Sequence, residues 1–269
     1  MIARVQHGFS LVEMVIAITL LAILAGASAI FLRGPIAGYF DMERRSDLAE
    51  SGQLAMLKIG QEMGRAVPNS VRVNLPPGGG FFIESLPVRA EGRYRSAIPG
   101  NALNDGTNSF DVPGFNVSTA AGDWVVVNSH LGSVWTGANP GVRAAYTGAG
   151  GNVATVSHAA HTYLTDPAPN PAHRFQIATT PITYFCNPAN GELRRYSGYA
   201  VQAAQPTNAA ASPLAGAQND LVAERIAACS AMVTVGTRSR AQVLSLLLTL
   251  RDSGDVLNLY HAVKVEALP

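Results

Sequence analysis

Gly8-Phe9-Ser10-Leu11-Val12-Glu13, with the run Met14 to Leu32 behind it (MVIAITLLAILAGASAIFL), decides how the rest of this chain is read. The run holds 19 residues and no charge. As a helix it would be about 28 Å long, close to the hydrocarbon thickness of a bilayer. Ahead of it lies a short polar leader, Met1 to His7, carrying Arg4; behind it come Arg33, Gly34 and Pro35. No second run of this kind follows, so the sequence predicts one membrane crossing at most. Arg4 and Arg33 flank the span one on each side, which leaves its orientation open under the positive-inside rule.

The rest of the composition fits a body attached to that segment. Of 269 residues, 19 are Lys or Arg and 18 Asp or Glu, a formal net charge of +1. Only Lys58 and Lys264 are lysines, and the arginines are scattered, so no basic face for nucleic acid is present. Charged residues make up 14%, against roughly 25% in an ordinary soluble domain. Gly 26 and Pro 16 are plentiful and predict many turns. A coiled coil, a disordered tail and a multi-span membrane protein are excluded.

Three readings meet at the N-terminus. A secretory signal peptide would be cleaved after Ala27-Ser28-Ala29, an A-x-A pattern, but its apolar part is ordinarily only 7–15 residues. A plain anchor accounts for the length and not for Glu13, because a carboxylate near hydrocarbon is costly. Thirdly, the basic leader, Gly8-Phe9, Glu13 and the unbroken apolar helix closely resemble the type IV prepilin signature. That resemblance implies cleavage between Gly8 and Phe9 by a membrane prepilin peptidase and N-methylation of Phe9. It also implies an assembly role for Glu13, which pairs with the terminal amine of a neighbouring subunit.

The helix is predicted to outrun the membrane. Met56, Ile59, Met63 and Ala66/Val67 recur at three- and four-residue steps, while Asp41, Glu43, Arg44, Arg45, Asp47, Glu50, Gln53, Lys58, Gln61 and Glu62 fill the other faces. Pro68 ends the pattern, and Gly34-Pro35 with Gly38 predicts a kink. The expected layout is therefore a leader at 1–8, a transmembrane half-helix at 9–32, an amphipathic half-helix at 33–67 and a β-rich head at 68–269. The fold class is α+β: a long N-terminal helix, its first half transmembrane, packed on that head in the pilin-like manner.

Within the head, Asp123 to Asn128, Phe81 to Ile83, Arg174 to Thr179 and Ile182 to Cys186 read as strands. The clearest unit is a C-terminal hairpin. Leu244, Leu246, Leu248 and Leu250 share one face of its first strand, and Leu257, Leu259, Val263 and Val265 one face of its second. Arg251-Asp252-Ser253-Gly254 supplies the turn. Loops are expected at 76–80, 98–109, 136–152 and 202–218, and residues 85–170 carry no distinctive pattern. The two cysteines, Cys186 and Cys229, pair as a disulfide if the head is exported, and are two reduced core thiols if it is cytosolic.

Chemistry is sparse. His158, His161 and His173 lack a carboxylate or thiol at metal-ligand spacing and read as loop histidines. Asn104, Asp105, Asn108 and Asp111 lack the order of a calcium loop and read as an Asx-rich turn. Gly78-Gly79-Gly80 follows no strand-to-helix pattern for a phosphate. No catalytic, cofactor or metal site is predicted.

Val67 to Val73, Ile182 to Cys186, Leu193 to Tyr199, Leu221 to Cys229, Leu246 to Leu250 and His261 to Pro269 resemble the MshO-type minor pilins of MSHA (mannose-sensitive haemagglutinin) pilus systems. The architecture is also similar to the J-type minor pseudopilins of type II secretion. The resemblance implies a non-catalytic subunit that helps start or cap a filament. Its partners would be minor and major pilins, the prepilin peptidase and the bacterial inner membrane, with the head in the periplasm. A membrane-tethered enzyme, or a tethered adhesin that recognises ligands through loops 136–152 and 202–218, is the competing class.

Overall fold

The structure is a computed structural model that describes residues 10–104, 106–165, 173–235 and 242–265. The chain divides into two units, Met1–Leu48 and Ala49–Pro269. Helix α1 (Leu11–Gly64) begins in the first and ends in the second. The carbonyl of Ser10 accepts the N–H groups of Glu13 and Met14, each at 3.1 Å, which starts the helical ladder. Helix continues unbroken through Gly34, Pro35 and Gly38. Pro35 has no N–H to donate and its ring crowds the carbonyl four residues back, yet helical residues continue on both sides of it.

In the second unit the predicted stripe is buried: Met56, Ile59, Met63, Ala66 and Val67 are all within the core. The helix stops at Gly64, three residues before the expected Val67. The reason is extended pairing. Val67 donates its N–H to the Leu86 carbonyl at 2.7 Å, and Ala66 bridges to Pro87, so these residues leave the helix to join the head.

Among the described residues sixteen strands follow: β1 (Arg72–Asn74), β2 (Phe81–Ser85), β3 (Val88–Arg93), β4 (Ser109–Asp111), β5 (Val117–Thr119), β6 (Trp124–Val127), β7 (Arg143–Ala145), β8 (Gly151–Val153), β9 (Thr155–Ser157), β10 (Arg174–Ala178), β11 (Ile182–Asn187), β12 (Glu192–Ser197), β13 (Gln218–Ala223), β14 (Ile226–Val235), β15 (Gln242–Asp252) and β16 (Asp255–Val265). They form antiparallel sheets ordered β1-β2-β11-β12-β13, β3-β10-β6-β7 and β14-β15-β16, with the small ribbons β4-β9 and β5-β8. The fold is α+β and pilin-like: a long apolar helix whose last turns pack on a β-rich head.

The C-terminal hairpin has the expected faces, its more buried positions alternating along β15 and β16. Leu244, Leu246, Leu248 and Leu250 pair with Val263, His261, Leu259 and Leu257. Its turn is tighter than expected. Arg251 and Asp252 belong to β15, and only Ser253 (φ 47°) and Gly254 (φ 101°) turn the chain, in the left-handed pair that a two-residue hairpin requires. The stretch 85–170 holds seven of the strands, and the expected loop 136–152 contains β7 and the start of β8. Residues of this stretch enter two cores: Phe110, Val125 and Val127 meet Phe175 and Ile177 of β10 between the four-stranded sheet and the ribbons, while Leu86, Val126, Val134, Trp135 and Val142 gather with Val67 and Ala178.

Cys186 on β11 and Cys229 on β14 are disulfide-bonded, with Cα atoms 6.6 Å apart, joining the five-stranded sheet to the C-terminal one. Beside this link, Gly80 holds a positive φ of 86°, and a Cβ there would lie 2.1 Å from the Cys186 carbonyl oxygen. Only glycine allows that approach.

Candidate functional site

The segment singled out by sequence is the start of α1. Gly8 and Phe9 lie outside the described residues. Glu13 occupies the first turn of α1, exposed, and makes no side-chain hydrogen bond among the described residues. Every residue from Leu11 to Ile36 is exposed within its unit, with Leu11 at 80% and Phe31 at 82%. Within the apolar run, the Thr19 hydroxyl bonds back to the Ile16 carbonyl at 2.9 Å. It therefore satisfies itself inside the helix. A contiguous apolar surface of this size is a site for lipid or for other helices.

The other end of α1 is built to hold the head. Gly52 and Gly60 face β15 and β16 so closely that a Cβ would lie 2.4 Å from Leu259 Cδ1 and 2.6 Å from His261 Nε2, respectively. Small residues on this face let helix and sheet approach. Glu62 completes the attachment: its carboxylate accepts from Tyr184 Oη at 2.8 Å and from Arg195 Nε at 2.9 Å. Burial, reinforced by the Glu62 carboxylate, pushes the Tyr184 phenol well up, so it stays a proton donor.

The head contains a buried ionic cluster that sequence reasoning missed. Glu84 on β2 has no solvent exposure and accepts from Arg72 Nε at 2.7 Å and Tyr199 Oη at 2.8 Å. The Arg72 guanidinium also donates to the carbonyls of Ala203 (2.7 Å) and Gln202 (2.9 Å), and lies 3.8 Å over the Trp135 ring. Burial raises the Glu84 pKa, against the pull of Arg72. The cluster straps the segment after β12 onto the sheet. Its signal in the sequence was the Arg72 to Glu84 separation across a hairpin, legible only once the pairing Arg72↔Glu84 is known.

His158, His161 and His173 all lie between β9 and β10, outside the named strands, but two of them are covered. His158 and His161 are buried, packed edge-on around Tyr163 at ring-centroid distances of 5.5 and 4.8 Å. Burial lowers both pKa values. The structure does not bring His173 to them: it lies against Tyr94 and Ser96. Around Asn104, the Thr107 N–H and hydroxyl both bond the Asn104 carbonyl, the turn expected there. Asp111 instead accepts from Asn101 N–H and Thr155, which lower its pKa. Asp105 lies outside the described residues. Among the described residues no group of three or more His, Cys, Asp or Glu is placed to hold a metal.

Residues 3–29 match the family model of the prokaryotic N-terminal methylation motif, a type IV pilin-like signature. No curated protein and no solved structure matches the chain. The matched segment runs from the leader into the exposed apolar helix. Motif and helix together indicate membrane anchoring and a structural part in pilus or pseudopilus assembly.

Proposed function

We propose that this protein is a minor pilin of the MshO type, a non-catalytic subunit that helps initiate or cap an MSHA-type IV pilus. The observation that carries the reading is the methylation motif at residues 3–29 continuous with an apolar helix surface exposed from Leu11 to Ile36. Prepilin peptidase cuts between Gly8 and Phe9 and Phe9 is N-methylated, leaving the helix anchored in the inner membrane and the head in the periplasm. The disulfide between Cys186 and Cys229 suits that compartment. Major and minor pilins then surround the apolar surface as the helix enters the filament.

Glu13 serves that step. Insertion alone would be easier without a carboxylate in the first turn. Cleavage at Gly8 leaves an amine four residues away, about 6 Å along the axis, and the glutamate pairs with the corresponding amine of a neighbour. In a low-dielectric bundle such a pair is strongly attractive, although desolvation offsets much of the gain. Intact-mass analysis of membrane-extracted protein should show a chain beginning at methylated Phe9. Glu13→Gln should leave processing and membrane insertion intact but reduce co-purification with other pilins. A mature terminus at Ile30, or undiminished co-purification with unchanged filament number, refutes the reading.

A further inference from the structure

The five-stranded sheet has two faces with different neighbours. Ile83, Tyr184 and Arg195 are aligned across one face, which meets the last turns of α1 through Glu62. Phe82, Phe185 and Arg194 are aligned across the other. The segment after β12 covers part of this second face, through Tyr199, Ala209, Leu214 and Ala217. Where that cover stops, an open pocket of about 500 Å³ remains.

Its floor is aromatic. The rings of Phe82 and Phe185 stack with centroids 4.2 Å apart and planes within 10°, and Phe185 is only half-buried. Its charges cancel: Arg194 donates to both oxygens of Glu192, at 2.7 and 3.3 Å, and to Asn219 Oδ1 at 2.7 Å. Its amides are oriented. Asn187 Oδ1 accepts the Ala189 N–H at 3.1 Å and Asn208 Oδ1 the Ala210 N–H at 2.9 Å, so both side chains keep their NH₂ groups for a ligand. Asn190 adds a third amide from the exposed β11–β12 turn.

We propose that this pocket binds a neutral saccharide, one or two sugar rings long. An anionic ligand would meet a guanidinium already neutralised, and a cation a carboxylate already paired. An apolar ligand would bury the amide donors without partners, at a cost of about 1–3 kcal/mol each. A sugar ring satisfies both kinds of surface. Its C–H face lies on the Phe185 ring while its hydroxyls accept from the amides and donate to Glu192. The volume falls in the ordinary range for small-ligand sites of about 300–1,000 Å³. Recognition here uses the sheet face that α1 leaves alone, and the inference does not rest on the filament reading.

The test is saturation-transfer NMR on the full chain in a sugar-free zwitterionic detergent. The probes are lactose, maltose and chitobiose, with sialyllactose as the anionic comparison and triglycine as the peptide comparison. Saturable transfer to the C–H protons of at least one neutral disaccharide is expected, weakened about fivefold by Asn190→Ala, the loss of one neutral hydrogen bond. Phe185→Leu, which keeps an apolar side chain there but removes the ring, should weaken it too. Absence of saturable transfer to all three disaccharides, stronger transfer to sialyllactose or triglycine, or unchanged affinity in both variants overturns the proposal.

Discussion

Glu84→Gln isolates what the buried ionic cluster contributes. The substitution keeps the side-chain volume and an acceptor for Tyr199, but removes the charge opposite Arg72, whose side chain is only 19% exposed. Breaking a buried ion pair from one side costs about 3–5 kcal/mol, because the remaining charge is left uncompensated. Arg72 keeps its bonds to the Gln202 and Ala203 carbonyls and its stacking on Trp135, which places the expected cost at about 3 kcal/mol, the lower end of that range. At about 2–4 °C per kcal/mol for a domain of this size, the melting temperature should fall by about 6–12 °C. Arg72→Met should cost a similar amount by stranding Glu84. The double variant Arg72→Met/Glu84→Gln strands neither charge and should be at least about 1.5 kcal/mol more stable than the sum of the singles predicts. Circular-dichroism melts of the full chain in detergent at pH 7 provide the numbers. Limited proteolysis should also show earlier cutting between 200 and 217 in both single variants, since Arg72 straps that segment down. Additive losses in the double variant would show that the two charges do not act as a pair and would refute the reasoning.

Two further perturbations have worked signs. Replacing Cys186 and Cys229 by serine opens a closure of 43 residues, worth up to about 4 kcal/mol by the chain-entropy model; equal denaturant midpoints for the double variant and the parent would contradict it. His158 and His161 have pKa values lowered by burial, so the folded head prefers them neutral. Their contribution is complete above the unfolded value of about 6.5 and is lost as pH falls through it toward the folded pKa. Melting temperature should therefore drop between pH 7 and pH 5, and His158→Gln should flatten that drop; a pH profile identical to the parent's would count against the burial account.

What could be read beforehand follows from the length over which a pattern persists. The α1 stripe and the β15–β16 alternation each extend over ten or more residues, so period and burial agree position by position. Strands β4 to β9 are three or four residues long. That is too short for an alternation to stand out from loop composition, and Phe110, Val125 and Phe175 meet only through tertiary pairing. The helix end was misplaced for the same reason: Val67 continues the apolar stripe, but its N–H is claimed by Leu86, a partner no local pattern announces. The burial of His158 and His161 was not legible because a turn-rich context says nothing about what covers it; Phe110 and Tyr163 do so here. Loops 136–152 and 202–218 are where a tethered adhesin would recognise its ligand, and of these Thr207 to Ala210 line the pocket. Its aromatic floor, however, comes from strands that read only as core.

The five-stranded sheet separates two demands on the same head. Its α1 face must be tight, and there the packing leaves no slack: Glu62 bridges Tyr184 and Arg195, while Gly52 and Gly60 bring the helix onto the hairpin beyond. Its other face is covered by a segment held through Arg72 and Glu84 and through the apolar contacts of Tyr199 and Leu214 rather than by strand pairing, and that cover leaves Phe185 half-exposed. The loops on this face can change without disturbing the helix attachment, because the two faces share a backbone but no side chains. Changes at Asn190 or in 207–210 should therefore alter ligand choice while leaving processing and co-purification as they are. Glu13→Gln should reduce co-purification while leaving both processing and ligand choice as they are. Finding both properties lost together in either set would mean that the sheet does not insulate its faces.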